Sequence, residues 1–145
     1  MSCVFGFDFG QRTLGVAVGN RLTASARALA ALPVRDGLPE WTRLDPLLHE
    51  WRPDTLVVGL PLTLDGNEQA ISRAARRFAA ALGERYALPV RLADERHTSQ
   101  EAARRFAASR AAGLKRRRDA QTLDAVAAAV ILEAWLAAPD DAAPG

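Results

Sequence analysis

At 145 residues the chain reads as one domain able to bury a real core, and its 49% hydrophobic and 25% charged residues are ordinary for a globular protein. A single cysteine, Cys3, excludes an internal disulfide and a cysteine zinc site, and suits a reducing cytosol. The longest apolar run, 125–132, is far too short to cross a bilayer, and Asp8 interrupts an apolar N-terminus that lacks the basic start of a signal peptide. A cytoplasmic protein, off the membrane, is expected.

Phe5, Phe7 and Phe9 alternate with Val4, Gly6 and Asp8, which predicts a first strand. Gly10 and Gly15 bracket Gln11, Arg12 and Thr13, a tight hairpin leading into a second apolar strand. Residues 26–34 predict a third strand. Residues 38–51 predict a helix with Pro39 in its first turn and Trp41, Leu44, Leu47, Leu48 and Trp51 at helical spacing. Residues 55–60 form a continuous apolar run, expected as a strand covered on both faces. After a loop with an Asp65-Gly66 turn, Asn67 is expected to cap a helix reaching about Arg85. Its apolar stripe is Ile71, Ala74, Ala75, Phe78 and Leu82, with Arg73, Arg76 and Arg77 turned away.

Residues 89–93 predict another strand, followed at once by Asp94, Glu95 and Arg96. The capping-box pattern from Thr98 to Glu101 opens a helix that Gly113 can stop. A basic connection over 114–121 leads to a last helix over 122–136, and 139–145 reads as a loose tail outside a single domain of residues 1–138. Three strands with short links, then strands separated by helices, predict an α/β fold. Its sheet has five strands and is mixed, three antiparallel and then two parallel, with helices on both faces. In such sheets sites form beyond the carboxyl ends of the parallel strands.

Asp8 does not belong in a dry strand, because burying an unpaired carboxylate is costly. Glu95 follows the fifth strand, and Asp124 points along the apolar face of the last helix, where a purely dipole-stabilising acid has no need to point. Three carboxylates on three elements repel unless cations lie between them, and Mg²⁺ or Mn²⁺ suits such oxygen donors. One or two such ions can activate water and stabilise the leaving oxygen of a phosphodiester. The charge distribution fits a polyanion. Residues 71–118 hold thirteen basic and four acidic residues, while the remainder holds six basic and thirteen acidic. Arg12, Arg96, Lys115, Arg116, Arg117 and Arg118 are candidate phosphate contacts. His97 reads as a helix-entry residue, with a proton shuttle as the alternative.

The segment Asp8 to Val18 resembles the opening motif of the YqgF family, also called RuvX, of the ribonuclease H-like superfamily. Three further segments resemble that family in the same order: 57–62 with Gly66, 94–102, and 123–132. Thr13, Asn20 and His97 depart from the family pattern, and none of them is one of the three acids. The resemblance implies a ribonuclease H-like fold with Asp8, Glu95 and Asp124 at the metal-binding acidic positions, and Asp94 as a cap or a residue behind them. It also implies a metal-dependent nuclease acting on structured RNA, in 5′-end processing of pre-16S rRNA during ribosome biogenesis.

Three other functions compete. A Holliday-junction resolvase-like DNA endonuclease would need a stable dimer to cut branched DNA symmetrically, whereas a monomer or weak homodimer is expected here. A non-catalytic RNA-binding assembly factor has no use for three acids. The Asp-x-Gly hairpin also resembles the phosphate loop of actin-like ATPases and sugar kinases, which need a duplicated domain that 145 residues cannot hold.

Overall fold

The computed structural model describes residues 3–61, 65–94 and 119–137. The expected helix over 98–113, the basic connection up to Arg118 and the tail lie outside them. The strands are β1 (Cys3–Phe9), β2 (Thr13–Asn20), β3 (Ser25–Arg35), β4 (Leu38–Pro39), β5 (Thr55–Leu60) and β6 (Val90–Asp94). The helices are α1 (Trp41–Trp51), α2 (Ala70–Tyr86) and α3 (Asp119–Ala137). The sheet order is β4-β3-β2-β1-β5-β6, antiparallel from β4 to β1 and parallel from β1 through β5 to β6. This is the mixed sheet expected, with helices on both faces.

It has six strands rather than five. Leu38 and Pro39, expected to open the first helix, instead pair antiparallel with Val34 and Arg35. Helix α1 starts only at Trp41, with Glu40 at its N-cap. Helix α2 begins three residues after the expected Asn67 cap. Gln69 is its N-cap, and its backbone N–H donates to the Ser72 hydroxyl at 2.9 Å. The buried Ser72 hydroxyl in turn donates to the Pro61 carbonyl, pinning the first turn of α2 to the end of β5.

The alternation in β1 divides the core in two. Phe5, Phe7 and Phe9 face α1 and α2, where Phe78 stacks on Phe9 at 4.9 Å between ring centres and meets Phe7 edge-on at 5.7 Å. Val4, with Ala17 and Val57, faces α3 and packs on Ala128, Ile131 and Leu132. All six residues of β5 are buried, as expected of a strand covered on both sides. A register irregularity at Val16/Ala17 sets Val16 against Ala30 and Ala17 against Ala28, leaving Leu29 as a bulge in β3.

Helix α3 packs close against the sheet because glycines face it. A Cβ on Gly6 would stand 2.7 Å from Leu132 Cβ, and one on Gly19 would stand 2.8 Å from Leu132 Cδ2. The tightest approach is at Gly15, where an added Cβ would lie 2.0 Å from the Asp124 carbonyl oxygen. Backbone touches backbone there, and nothing in that contact can rotate away. Gly15→Ala should therefore lift the start of α3 and destabilise the protein by roughly 3 kcal/mol, read from the urea midpoint. Gly83→Ala, in the interior of α2 with 3.6 Å to its nearest neighbour Val90, should instead stabilise by about 0.5–1 kcal/mol.

Candidate active site at the carboxyl ends of the parallel strands

Strands β1, β5 and β6 run in one direction, so their carboxyl ends share an edge of the sheet. Asp8 is the penultimate residue of β1 and pairs across the antiparallel ladder with Gly15. By alternation with Val4 and Gly6 it faces α3. Because Gly15 is also the residue on which the Asp124 backbone rests, one small residue brings the two acids to the same place. Helix α3 runs back from there, with Leu132 and Leu136 against Gly19 at the opposite end of β2.

The helix starts at Asp119 rather than at residue 122, so Asp124 is past the first turn. The partial positive charge of a helix N-terminus fades within that turn. Dipole stabilisation therefore does not account for an acid at 124.

Electrostatics single out the same pair. Burial pushes the Asp8 carboxyl up to about 6, and the charge of Asp124 adds to the shift. Asp124 is also raised, by burial. Both shifts have a physical cause: burial disfavours each charged form, and a neighbouring carboxylate disfavours it further at Asp8. Among the described residues no hydrogen bond or ion pair neutralises either carboxylate. Two hard oxygen donors, raised in pKa and not neutralised by protein cations among the described residues, fit the donor chemistry that Mg²⁺ or Mn²⁺ requires.

Asp94 ends β6 but belongs to the other face. Val90 and Leu92 pack with the α1 and α2 side and Ala93 with the α3 side, so Asp94 alternates away from Asp8. Glu95, Arg96, His97, Lys115, Arg116, Arg117 and Arg118 lie outside the described residues. Arg12 sits exposed in the β1–β2 turn, at the same edge as Asp8. The turn is held by Gly10 N–H donating to the Thr13 carbonyl at 2.9 Å and Val34 N–H donating to the Arg12 carbonyl at 2.8 Å.

The role of Gly15 escaped sequence reasoning. It was expected to shape the turn, but it lies inside β2, and its work is to admit the helix backbone. An isolated glycine within an apolar strand is the signal that could have revealed a close backbone approach. A cavity of about 300 Å³ lined by Cys3, Asn20, Arg27 and Trp51 is at the other end of β1 and takes no part in this site.

A family model described as "RuvX: Holliday junction resolvase" matches residues 2–138. The chain belongs to the RuvX family. Membership makes it a hydrolase of phosphodiester bonds. A curated protein of Xanthomonas axonopodis pv. citri named "Putative pre-16S rRNA nuclease" is 60% identical over 139 residues, 96% of this chain and 90% of its own length. One of the same name from Xanthomonas euvesicatoria pv. vesicatoria is 59% identical over the same shares.

Among solved structures, the RuvC of T. thermophilus in complex with a Holliday junction substrate superposes with a TM-score of 0.55 at 22% identity, covering 95% of this chain and 98% of that one. The Fowlpox virus resolvase, solved with Holliday junction DNA, gives 0.56 at 9% identity, covering 93% and 97%. At those identities the likeness shows the fold, which is ribonuclease H-like as the RuvX resemblance implied.

The carboxylate pair makes a prediction about stability. Asp8 has a folded pKa above its ordinary value, so its favourable contribution is complete below about pH 4 and is lost as pH rises through about 6. Without metal, ionised Asp8 then costs about 3 kcal/mol at neutral pH. Asp8→Asn should raise the thermal midpoint by several degrees at pH 8 in EDTA and by nothing at pH 4. An equal effect at both pH values would mean that Asp8 bears no such strain.

Proposed function

We propose that residues 1–138 act as one nuclease domain that hydrolyses phosphodiester bonds of structured RNA, in the cytoplasm. On this reading Asp8, Glu95 and Asp124 are the carboxylates that hold one or two Mg²⁺ or Mn²⁺ ions. The observation that carries the reading is the meeting of Asp8 and Asp124 over Gly15 at the carboxyl ends of the parallel strands. Processing of the 5′ end of pre-16S rRNA is the assignment favoured by relatives at about 60% identity over nearly the whole chain.

A divalent ion bound there supplies Lewis acidity and a water made acidic enough to attack near neutral pH. The chain's own part is to present the oxygens. Asp8 is held by the β1–β2 ladder, and Asp124 by a helix that cannot slide without striking Gly15. Their burial removes competing water and strengthens their hold on a cation. Arg12 in the adjacent turn is placed to contact a phosphate beside the cleaved bond, and Arg96 and Lys115–Arg118 extend that role. Phosphate contacts of this kind position a substrate without reading its sequence.

The second reading is cleavage of branched DNA, favoured by the description of the family and by the resolvase complexes that share the fold. Purified protein with Mg²⁺ or Mn²⁺ should cut an RNA spanning the 5′ end of pre-16S rRNA, and a four-way DNA junction more slowly. The reverse preference would favour the resolvase. Asp8→Asn and Asp124→Asn should each lower the rate by at least about a hundredfold, in the range set by removing a group that stabilises the transition state. Wild-type rates in either variant would remove the metal-site assignment. Because the carboxylates must lose protons to hold a cation, metal affinity should fall by up to about tenfold per pH unit below about 6, measured by titration calorimetry with Mn²⁺.

A further inference from the structure

The first two turns of α2 carry an arrangement that works against the helix. Arg73, Arg76 and Arg77 are all exposed, and no acid stands in the first turn. Arg73, closing the first turn, opposes the helix dipole, and like charges four residues apart, as in Arg73 and Arg77, repel. Arg76 is offset by Glu68, whose carboxylate it meets at 2.6 and 2.8 Å. The Arg76 hydrogen bond, with the charges of Arg76 and Arg73 behind it, holds Glu68 below its ordinary range. Glu68 also feels the charge of Arg73, but among the described residues no ion pair reaches Arg77.

Position gives these charges a use. Phe78 stacks on Phe9, the residue after Asp8, and the first turn of α2 is tied through Ser72 to Pro61 at the end of β5. Helix α2 therefore starts at the edge of the sheet where the acids sit, on the face opposite Asp8. Arg73 is five residues before Phe78, about 7.5 Å further out along the axis. Arg12 stands exposed at the same edge, in the β1–β2 turn.

We infer that Arg73 and Arg77 form a phosphate clamp for the RNA strand that leads into the acidic site, and that Glu68 acts as a latch by occupying Arg76. The inference rests on the nuclease reading above, since it needs a nucleic acid at that edge. The clamp takes backbone phosphates and is indifferent to sequence. Displacing Glu68 by a phosphate adds a third cation to the contact, so the latch sets how tightly a given RNA is held.

The test is a binding series in the full chain. Each variant is made in the Asp8→Asn protein to keep the RNA intact, with a labelled stem–loop RNA bearing a 5′ single-stranded extension, across a range of KCl concentrations. Arg73→Ala/Arg77→Ala should weaken binding by roughly tenfold at low salt and reduce the slope of log affinity against log salt by about 1.4. Its thermal midpoint should stay level or rise, because the repulsion between like charges four residues apart is removed and alanine favours the helix. Glu68→Gln should tighten binding several-fold and steepen the slope by about 0.7.

Unchanged affinity and slope in the double variant would overturn the clamp, and unchanged binding by Glu68→Gln would overturn the latch. Cleavage of the RNA by the Asp8→Asn parent would count against the metal-site reading while leaving the comparison of arginines valid. A parent that binds no RNA even at low salt removes both.

Discussion

The backbone contact between α3 and Gly15 is the constraint on which the rest of the structure turns. It has no side chain to adjust, so the close backbone approach limits how the helix sits on the sheet. That approach puts Asp124 beside Asp8, and Asp8 is on the α3 face only because β1 alternates and its phenylalanines claim the other side. Gly6 and Gly19 extend the same close fit along the helix, which is why an Ala-rich segment packs so fully there. A bulkier sheet face would still fold α3 against it, but further off and with the acids apart.

The two faces of the sheet divide the labour. The side of α1 and α2 carries the large aromatic core, in which Phe78 joins Phe7, Phe9 and Trp41. Among the described residues most of the apolar burial lies there, and it anchors the strands whose ends hold the acids. The α3 side has a smaller apolar cluster and bears the electrostatic load. Strain at Asp8 is tolerable because the opposite face holds β1 so firmly. Around the rim, ion pairs join the elements rather than the core. Arg85 reaches Asp45 at 2.6 Å, fastening α2 to α1, while Arg21 joins the β2–β3 turn to Asp54 ahead of β5.

Much of this was legible in the sequence, where local pattern and tertiary demand agree. The period of β1, the apolar run of β5 and the Phe78 stripe of α2 each have one physical reading, and the structure adopts it. Asp8 stood out because a charge in an apolar strand has no structural excuse. Leu38 and Pro39 misled because a proline before an amphipathic run reads as a helix start, while a two-residue edge pairing leaves no periodic trace. Helix α3 starts before its apolar pattern does, because Asp119, Ala120 and Gln121 carry no apolar rhythm. Gly15 was read for its freedom to turn, when what mattered was its lack of volume, a property visible only once the helix opposite is known.

The chain order of the two acids has a consequence for assembly. Asp8 is in the first strand, within a meander of neighbouring strands whose contacts are local, and Asp124 arrives on the last helix. Local pairings close quickly, and a helix that spans β1, β2 and β3 can dock only on a surface already formed. The sheet can thus mature free of the carboxylate repulsion, which arises only as α3 settles. If the acids hold a divalent cation as proposed, that cation would act as the closing fastener of the fold, and chains folding without it would linger with the last helix loosely seated.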